Sequence, residues 1–190
     1  MRGEYWYYAF WLLVIGSWVL GMAYGRWGGG GSGIFADLGQ AVSVPSPVPS
    51  PAKLSLWQPI LYFSLTVVAS FVLSQIFFGA GAAVFIFSRG VNDASLFKNI
   101  ESMVVNLNLW DSTSIPFWSI FFIMLVLTVN LPLCLWASHL GTQRATRMLY
   151  RLRGKPLKSE VEAGPISNLL LAVAASLAAG LVATFALFYV

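Results

Sequence analysis

The sequence predicts an all-α fold, a polytopic bundle of transmembrane helices, on three observations. Of the 190 residues, 58% are hydrophobic and 9% are charged, against about 25% charged for an ordinary soluble domain. Charge is absent from four tracts: Tyr5 to Gly25, Leu54 to Ser88, Ser112 to Gln143, and Ala163 to Val190. Each exceeds the roughly 20 residues needed to cross a hydrocarbon core. The tracts are also apolar on all sides rather than at alternate residues, which selects helices over the strands of a membrane barrel. A soluble fold would have to bury four such helices with too little polar covering.

The expected architecture is a single membrane domain with three full spans, one broken or re-entrant helical hairpin, and an interfacial amphipathic helix. The first span covers 4–25. Tyr5, Trp6, Tyr7 and Tyr8 mark one interface, and Tyr24 and Trp27 the other, as amphipathic rings do at headgroup level. With one basic residue, Arg2, before it and no clear small-x-small cleavage site, it reads as a retained signal-anchor; a removed signal peptide is the alternative. Gly28 to Gly31 ends it. An external loop over 26–56 follows, where Pro45, Pro47, Pro49 and Pro51 alternate with small residues, favouring an extended polyproline spacer or partner-binding arm.

The second span covers 57–88, with Pro59 suited to a first turn. At about 45 Å if straight, it is longer than a ~30 Å core requires. Tilt, or a break at Gly79-Ala80-Gly81, must absorb the excess. Over 94–110 the apolar residues Leu96, Phe97, Ile100, Met103, Val104, Leu107 and Trp110 recur at helical spacing. That stripe suits a helix lying in the interface or one packed on its neighbours. The segment 114–153 contains Asn130-Leu131-Pro132, and proline is not tolerated cheaply inside a helix. Either the span is kinked, or two helices meet there as a hairpin. The final helix, 166–190, carries Ala175, Ala179 and Ala183 four apart and Ser176 and Gly180 likewise. Small residues at that spacing let helices approach closely, within the fold or at a partner.

Positive residues favour the cytoplasmic side. Four simple spans with a cytoplasmic N-terminus put three Lys/Arg inside and eight outside, and the flipped arrangement reverses this. A hairpin at Asn130-Leu131-Pro132 with a cytoplasmic N-terminus gives nine inside and two outside. The margin between the last two arrangements is one residue, so charge alone does not separate them; the cell membrane is the expected location, and the resemblance described below favours the hairpin with the N-terminus inside.

A net charge of +4 raises nucleic acid as a ligand, but six of the eleven basic residues lie between Arg144 and Lys158, beside an apolar tract. Arg144, Arg147, Arg151 and Arg153 there are expected to meet anionic lipid headgroups, and no nucleic acid is expected. Cys134 and His139 are single, so neither a disulfide framework nor a multi-ligand metal site is expected. No phosphate-binding loop, dinucleotide fingerprint or HExxH motif occurs. Asp93, Glu101, Asp111, Glu160 and Glu162 are read as lying in connecting segments, which removes the acid an ion-coupled carrier places in a span. A neutral-solute pathway lined by Gln75, Asn130, Thr128, Ser70 and Ser74 stays open, with Gly79, Gly81, Asn130 and Pro132 as its break points.

The order of features resembles the stage II sporulation protein M family of integral membrane proteins. Phe78-Gly79-Ala80-Gly81, running on to Ser88-Arg89-Gly90, is similar to the family's Phe-Gly-x-Gly stretch, with Arg89 where Asn is expected. Asn130-Leu131-Pro132-Leu133 and Ala137-Ser138-His139-Leu140-Gly141 resemble a degenerate form of the family's Glu-Leu-Pro-Ala element and small-residue helix. The family's His-Gly and Glu are missing. The match runs from about Leu56 to the C-terminus and implies a non-enzymatic membrane subunit that works with others, as the sporulation member does in a cell-wall-remodelling assembly. The expectation is a non-catalytic accessory or scaffold subunit, without cofactor, whose partners are other membrane subunits and lipids. The alternatives are a small-solute or lipid permease, and a membrane enzyme whose active site another chain supplies.

Overall fold

The structure, a computed structural model, describes residues 2–27, 57–105, 117–153 and 164–188. The Gly/Pro/Ser-rich loop, residues 106–110 of the expected interfacial helix, Lys155 and Lys158 lie outside the described residues. The described chain is helical, with no strand among those residues. Its elements are α1 (Arg2–Trp27), α2 (Gln58–Gln75), a 3-10 turn (Ile76–Gly79), α3 (Ala80–Val105), α4 (Phe117–Leu125), a π-helical turn (Val126–Asn130), α5 (Leu131–Leu152) and α6 (Gly164–Phe188).

Three helical stretches are long and apolar enough to cross a membrane: Tyr7–Trp27, Phe121–Leu149 and Ile166–Phe185. The shorter apolar helix Pro59–Gln75 completes a set compatible with a multi-pass membrane protein. Pro59 sits in the first turn of α2, where its missing N–H removes no helical bond.

The tract expected as one span over 57–88 is two helices. Its break falls at the glycines singled out from the sequence, but it reverses the chain instead of kinking it. Ile76 leaves the helix with extended backbone (φ −77, ψ 127). Phe78 (φ 53) and Gly79 (φ 104) then enter the positive-φ region, where side chains are costly and glycine is free. A Cβ on Gly81 would overlap the Leu73 carbonyl, so its bare backbone lets α3 fold back on α2. Further along, Phe63 of α2 and Leu96 of α3 meet in one apolar cluster.

The interruption at Asn130-Leu131-Pro132 does the opposite. The backbone stays helical through Asn130 (φ −70, ψ −39) and Leu131 (φ −61, ψ −51), so α4, the π turn and α5 form one continuous rod. The re-entrant hairpin is therefore replaced by a single continuous helix with a widened turn. Proline explains the widening. Its missing N–H and its ring bar the ordinary i−4 bond at 132, and the Leu131 N–H reaches back five residues to the Val126 carbonyl. The separate interfacial helix is also revised: Ala94–Val105 are the last turns of α3, and Leu96 is buried against Phe63 and Phe122.

The contacts fix the helix directions. Gly21 and Gly25 of α1 meet Phe87, Gly90, Val91 and Ala94 of α3 in rising order, so these two helices are parallel. Phe63 and Thr66 lie beside Asn130, and Phe71 beside Gly141, so α2 runs parallel to the α4–α5 rod. Gly180 packs on Ile60 while Ala172 joins the cluster of Val67 and Phe71, which makes α6 antiparallel to α2. Five rods thus run side by side. One end holds Phe10, the 3-10 turn and Thr142; the other holds Trp27, Trp57 and Glu101.

Close backbone approach ties α1 to α3. A Cβ at Gly21 would overlap the Phe87 carbonyl, and one at Gly90 the Trp18 carbonyl. Lys98 Nζ donates to the Gly25 carbonyl at 2.9 Å, satisfying an acceptor at the α1 C-terminus. Two apolar layers fill the bundle. Val14, Phe71, Ile86, Ala137 and Ala172 meet in one, and Phe63, Leu96, Ile123 and Ala183 in the other.

Candidate functional site

Between these layers lies a polar cluster built around Arg89. This residue and Asp93 occupy successive turns on the inner face of α3, with side chains 4% and 0% exposed. Nε of Arg89 is 3.6 Å from Asp93 Oδ2. Nη1 donates to Asn130 Oδ1 and, at 2.9 Å, to Cys134 Sγ, while Nη2 donates to the Val126 carbonyl at 3.2 Å. From α1, Trp18 Nε1 donates to Asp93 Oδ2 at 2.9 Å.

Asn130 is the centre of the other half. It is fully buried, and its Nδ2 donates to the Phe63 carbonyl of α2 at 3.0 Å. Thr66 Oγ1 lies 3.2 Å from Asn130 Oδ1 and 2.8 Å from the Tyr62 carbonyl, either of which it can donate to. The cluster therefore links α1, α2, α3 and the α4–α5 rod. The widened turn offers Arg89 a main-chain acceptor, since the Val126 carbonyl takes both the Leu131 N–H and the Arg89 guanidinium. A helical turn of this kind is characteristic of functional positions.

Electrostatically the site is closed. One cation faces one anion, and the Asn130 amide oxygen, Cys134 Sγ and the Val126 carbonyl receive protons of the two Nη groups, which offsets part of the cost of burying the pair. Arg89 Nε and Asp93 Oδ1 alone in the cluster have no hydrogen-bond partner. Cys134 Sγ receives an Arg89 N–H. No group of three His, Cys, Asp or Glu that could hold a metal ion occurs among the described residues.

This cluster overturns the reading of Asp93 as a residue of a connecting segment. It is buried within a helix, one turn beyond an arginine. The signal was the i, i+4 spacing of Arg89 and Asp93, with Ser88, Gly90 and Ala94 beside them. Two opposite charges on one face of a helix neutralise each other, so such a segment can enter an apolar bundle although each charge alone argues against it.

The residues singled out as pathway or break points separate. Gly79 and Gly81 shape the hairpin, Asn130 joins the cluster, and Pro132 is exposed on the outside of the rod. Of the proposed pathway lining, Ser70 bonds to the Thr66 carbonyl, Ser74 to Phe71 and Thr128 to Met124, each within its own helix. Ser176, Ala179, Gly180 and Ala183 are buried and Ala175 is half-buried. Gly180 faces Ile60 of α2, so this small-residue face packs inside the fold. Arg144 and Arg147 are half-buried, and Arg151 and Arg153 exposed. His139 is ringed by Tyr7, Phe10 and Trp11 of α1 at 5.3–5.5 Å between centroids, with Gln143 Nε2 2.8 Å from its Nε2.

Comparison with family models, with curated proteins and with solved structures returns no match to this chain.

Proposed function

We propose that the chain is a non-catalytic accessory or scaffold subunit of a larger membrane complex, crossing the cell membrane five times with its N-terminus in the cytoplasm. The observation that carries this reading is the closed Arg89 cluster. The most polar group in the bundle interior is bonded to four rods and hidden from solvent, which suits a fixed brace. Breaking a buried pair by removing one partner costs about 3–5 kcal/mol, so the brace specifies one arrangement of helices. The resemblance to the stage II sporulation protein M family belongs to the same proposal, because its two short motifs fall on the two interruptions of the bundle.

The orientation follows from charge. Arg2, Arg144, Arg147, Arg151 and Arg153 belong to one end of the bundle, and Arg26 and Lys98 to the other. The richer end is assigned to the cytoplasm. The permease reading is the second one, and Asn130 weighs against it, since its amide is bonded to protein groups in a fully buried position.

Copurification of the full chain in mild detergent, followed by mass spectrometry, tests the subunit reading. Stoichiometric recovery of another membrane protein is expected; a monodisperse monomer without partners counts against it. Topology is tested separately, in a Cys134→Ser background, with a membrane-impermeant maleimide. Phe78→Cys and Arg153→Cys are expected to label from the cytoplasmic side, and Trp27→Cys and Trp57→Cys from the other. Labelling of positions 57 and 78 from one side would remove the crossing by α2.

A further inference from the structure

A side chain that titrates near neutrality stands among aromatic rings between two helices. His139, the one histidine of the chain, lies half-buried on α5. Tyr7, Phe10 and Trp11 come to it from α1, spaced i, i+3, i+4 and so on one face of that helix. The Trp11 ring stacks on the imidazole, with 29° between planes and 5.5 Å between centroids. Tyr7 meets it edge-on at 5.3 Å, and Phe10 at a tilt at 5.5 Å. The three rings also hold one another, since Trp11 is 6.1 Å from Tyr7 and 5.8 Å from Phe10, both edge to face. The enclosure therefore belongs to α1, and His139 is what fills it.

From this geometry we infer that His139 is a proton-binding site, and that taking up the proton tightens the docking of the first half of α1 on α5. The inference goes beyond the subunit reading and does not depend on it. A cation within about 6 Å of an aromatic face is attracted to it, most strongly by tryptophan and more so where water is partly removed. The three rings thus replace the hydration that half-burial takes from the imidazolium. Gln143 serves both states of the ring. Its Nε2 lies 2.8 Å from His139 Nε2; there it donates to the neutral imidazole, and with the amide turned over its oxygen accepts from the charged one. Other titratable groups around the site are few. From α1 come the phenols Tyr7 and Tyr8 and, in the first turn, Arg2, Glu4 and Tyr5. The 3-10 turn, which meets Phe10 through Gly79, brings none, and neither do residues 70–75 of α2, residues 80–88 of α3 or any residue of α6. On α5 itself Arg144 is turned to α2, its guanidinium 6.0 Å from the Phe71 ring centroid, and Arg147 and Arg151 lie about two and three turns further along. The enclosing rings are therefore the groups in contact with His139 that tell its charged form from its neutral one.

The test uses the full chain purified in mild detergent. Because the chain has one histidine, carbon-13 labelling of histidine gives an NMR signal of His139 alone. That signal is expected to titrate reversibly between about pH 8 and pH 5 while the chain stays folded, and to keep the ring-current shift from Trp11 in the protonated form. The thermal unfolding midpoint should rise by about 3 °C as the pH is lowered across the same range. His139→Gln, which keeps a hydrogen-bonding group but takes no proton, should abolish the rise, and Trp11→Leu should cut it by about half. Glu4→Gln should leave it in place. The inference is overturned by a midpoint that falls on acidification, by loss of the ring-current shift on protonation, by a histidine signal that does not titrate in the folded chain, or by a rise that survives His139→Gln. Disappearance of the rise in Glu4→Gln would also overturn it, assigning the response to that carboxylate. The wild-type readings decide the matter even if a variant fails to fold.

Discussion

Two apolar tracts are interrupted, one at Ile76–Gly79 and the other at Val126–Asn130, and the interruptions have opposite outcomes. At the first the chain turns back on itself without a proline. At the second it passes a proline and continues straight. The difference lies in what each sequence asks of the backbone. Pro132 withdraws one N–H, and a single bond to the carbonyl five residues back accommodates that loss. The first site places two consecutive residues at positive φ, and no helix continues through that conformation. Reversal is thus a property of dihedral angle, and a missing donor leads only to a local widening.

The largest expected effect tests what holds the second interruption in its widened form. Arg89→Ala leaves Asp93 buried beside Trp18 alone, and a loss of about 3–5 kcal/mol is expected, measured by denaturant unfolding in detergent. An unchanged unfolding midpoint would mean that the cluster does not brace the bundle. Next comes the hairpin. Gly79→Val puts a β-branched side chain at φ 104, where Thr142 Oγ1 and Phe10 Cε2 lie 3.2 and 3.4 Å from the new Cβ, and about 1–3 kcal/mol of destabilisation is expected. If thermal unfolding shows no loss, the turn does not depend on its positive φ.

A smaller effect is expected from Pro132→Ala. Restoring the N–H permits an ordinary turn, but Arg89 still holds the Val126 carbonyl, so the gain in stability should fall well short of the ~3 kcal/mol that separates proline from alanine in a regular helix interior. Hydrogen exchange at residues 130–134 would show whether the widened turn persists. Should it vanish in this variant while Arg89 remains, proline alone makes it. The smallest effect lies at the far end of α3. Arg26 Nη1, 3.0 Å from Glu101 Oε2, holds that carboxyl below its ordinary range. Because the folded-state value is depressed, the contribution is present above the ordinary Glu range and lost as pH falls through the lowered one. Both partners are about half exposed, so carbon NMR of Glu101 is the suitable measure: Arg26→Gln should return its titration to the ordinary range.

Much of this fold is legible in the sequence, and the places where it is not share a cause. Continuous apolar length identifies α1 and α6, and Pro59 marks the start of α2, because each of these is a local property of the chain. The reversal was expected at the proline, since proline is the louder local breaker. The positive φ of Phe78, an exposed aromatic residue, is not written in residue type. Gly79 and Gly81 were nonetheless visible as a weak point. The burial of Asp93 is not legible from single charges, because it depends on Arg89 one turn before it and on Trp18 from a helix 75 residues away. Asn130 was visible as a polar residue in an apolar tract, but its partners on α2 and α3 were not.

The bond from Trp18 to Asp93 has a consequence for how the chain is made. In the five-crossing arrangement, α3 carries Arg89, Asp93, Lys98 and Glu101 and is absent from the helices apolar enough to enter lipid unaided. Synthesis delivers α1 before α3, and α1 carries the indole, the bare Gly21 backbone and the Gly25 carbonyl that α3 meets in the bundle. A helix made before α3 thereby holds the partners for the helix with the most charge to place in the bundle.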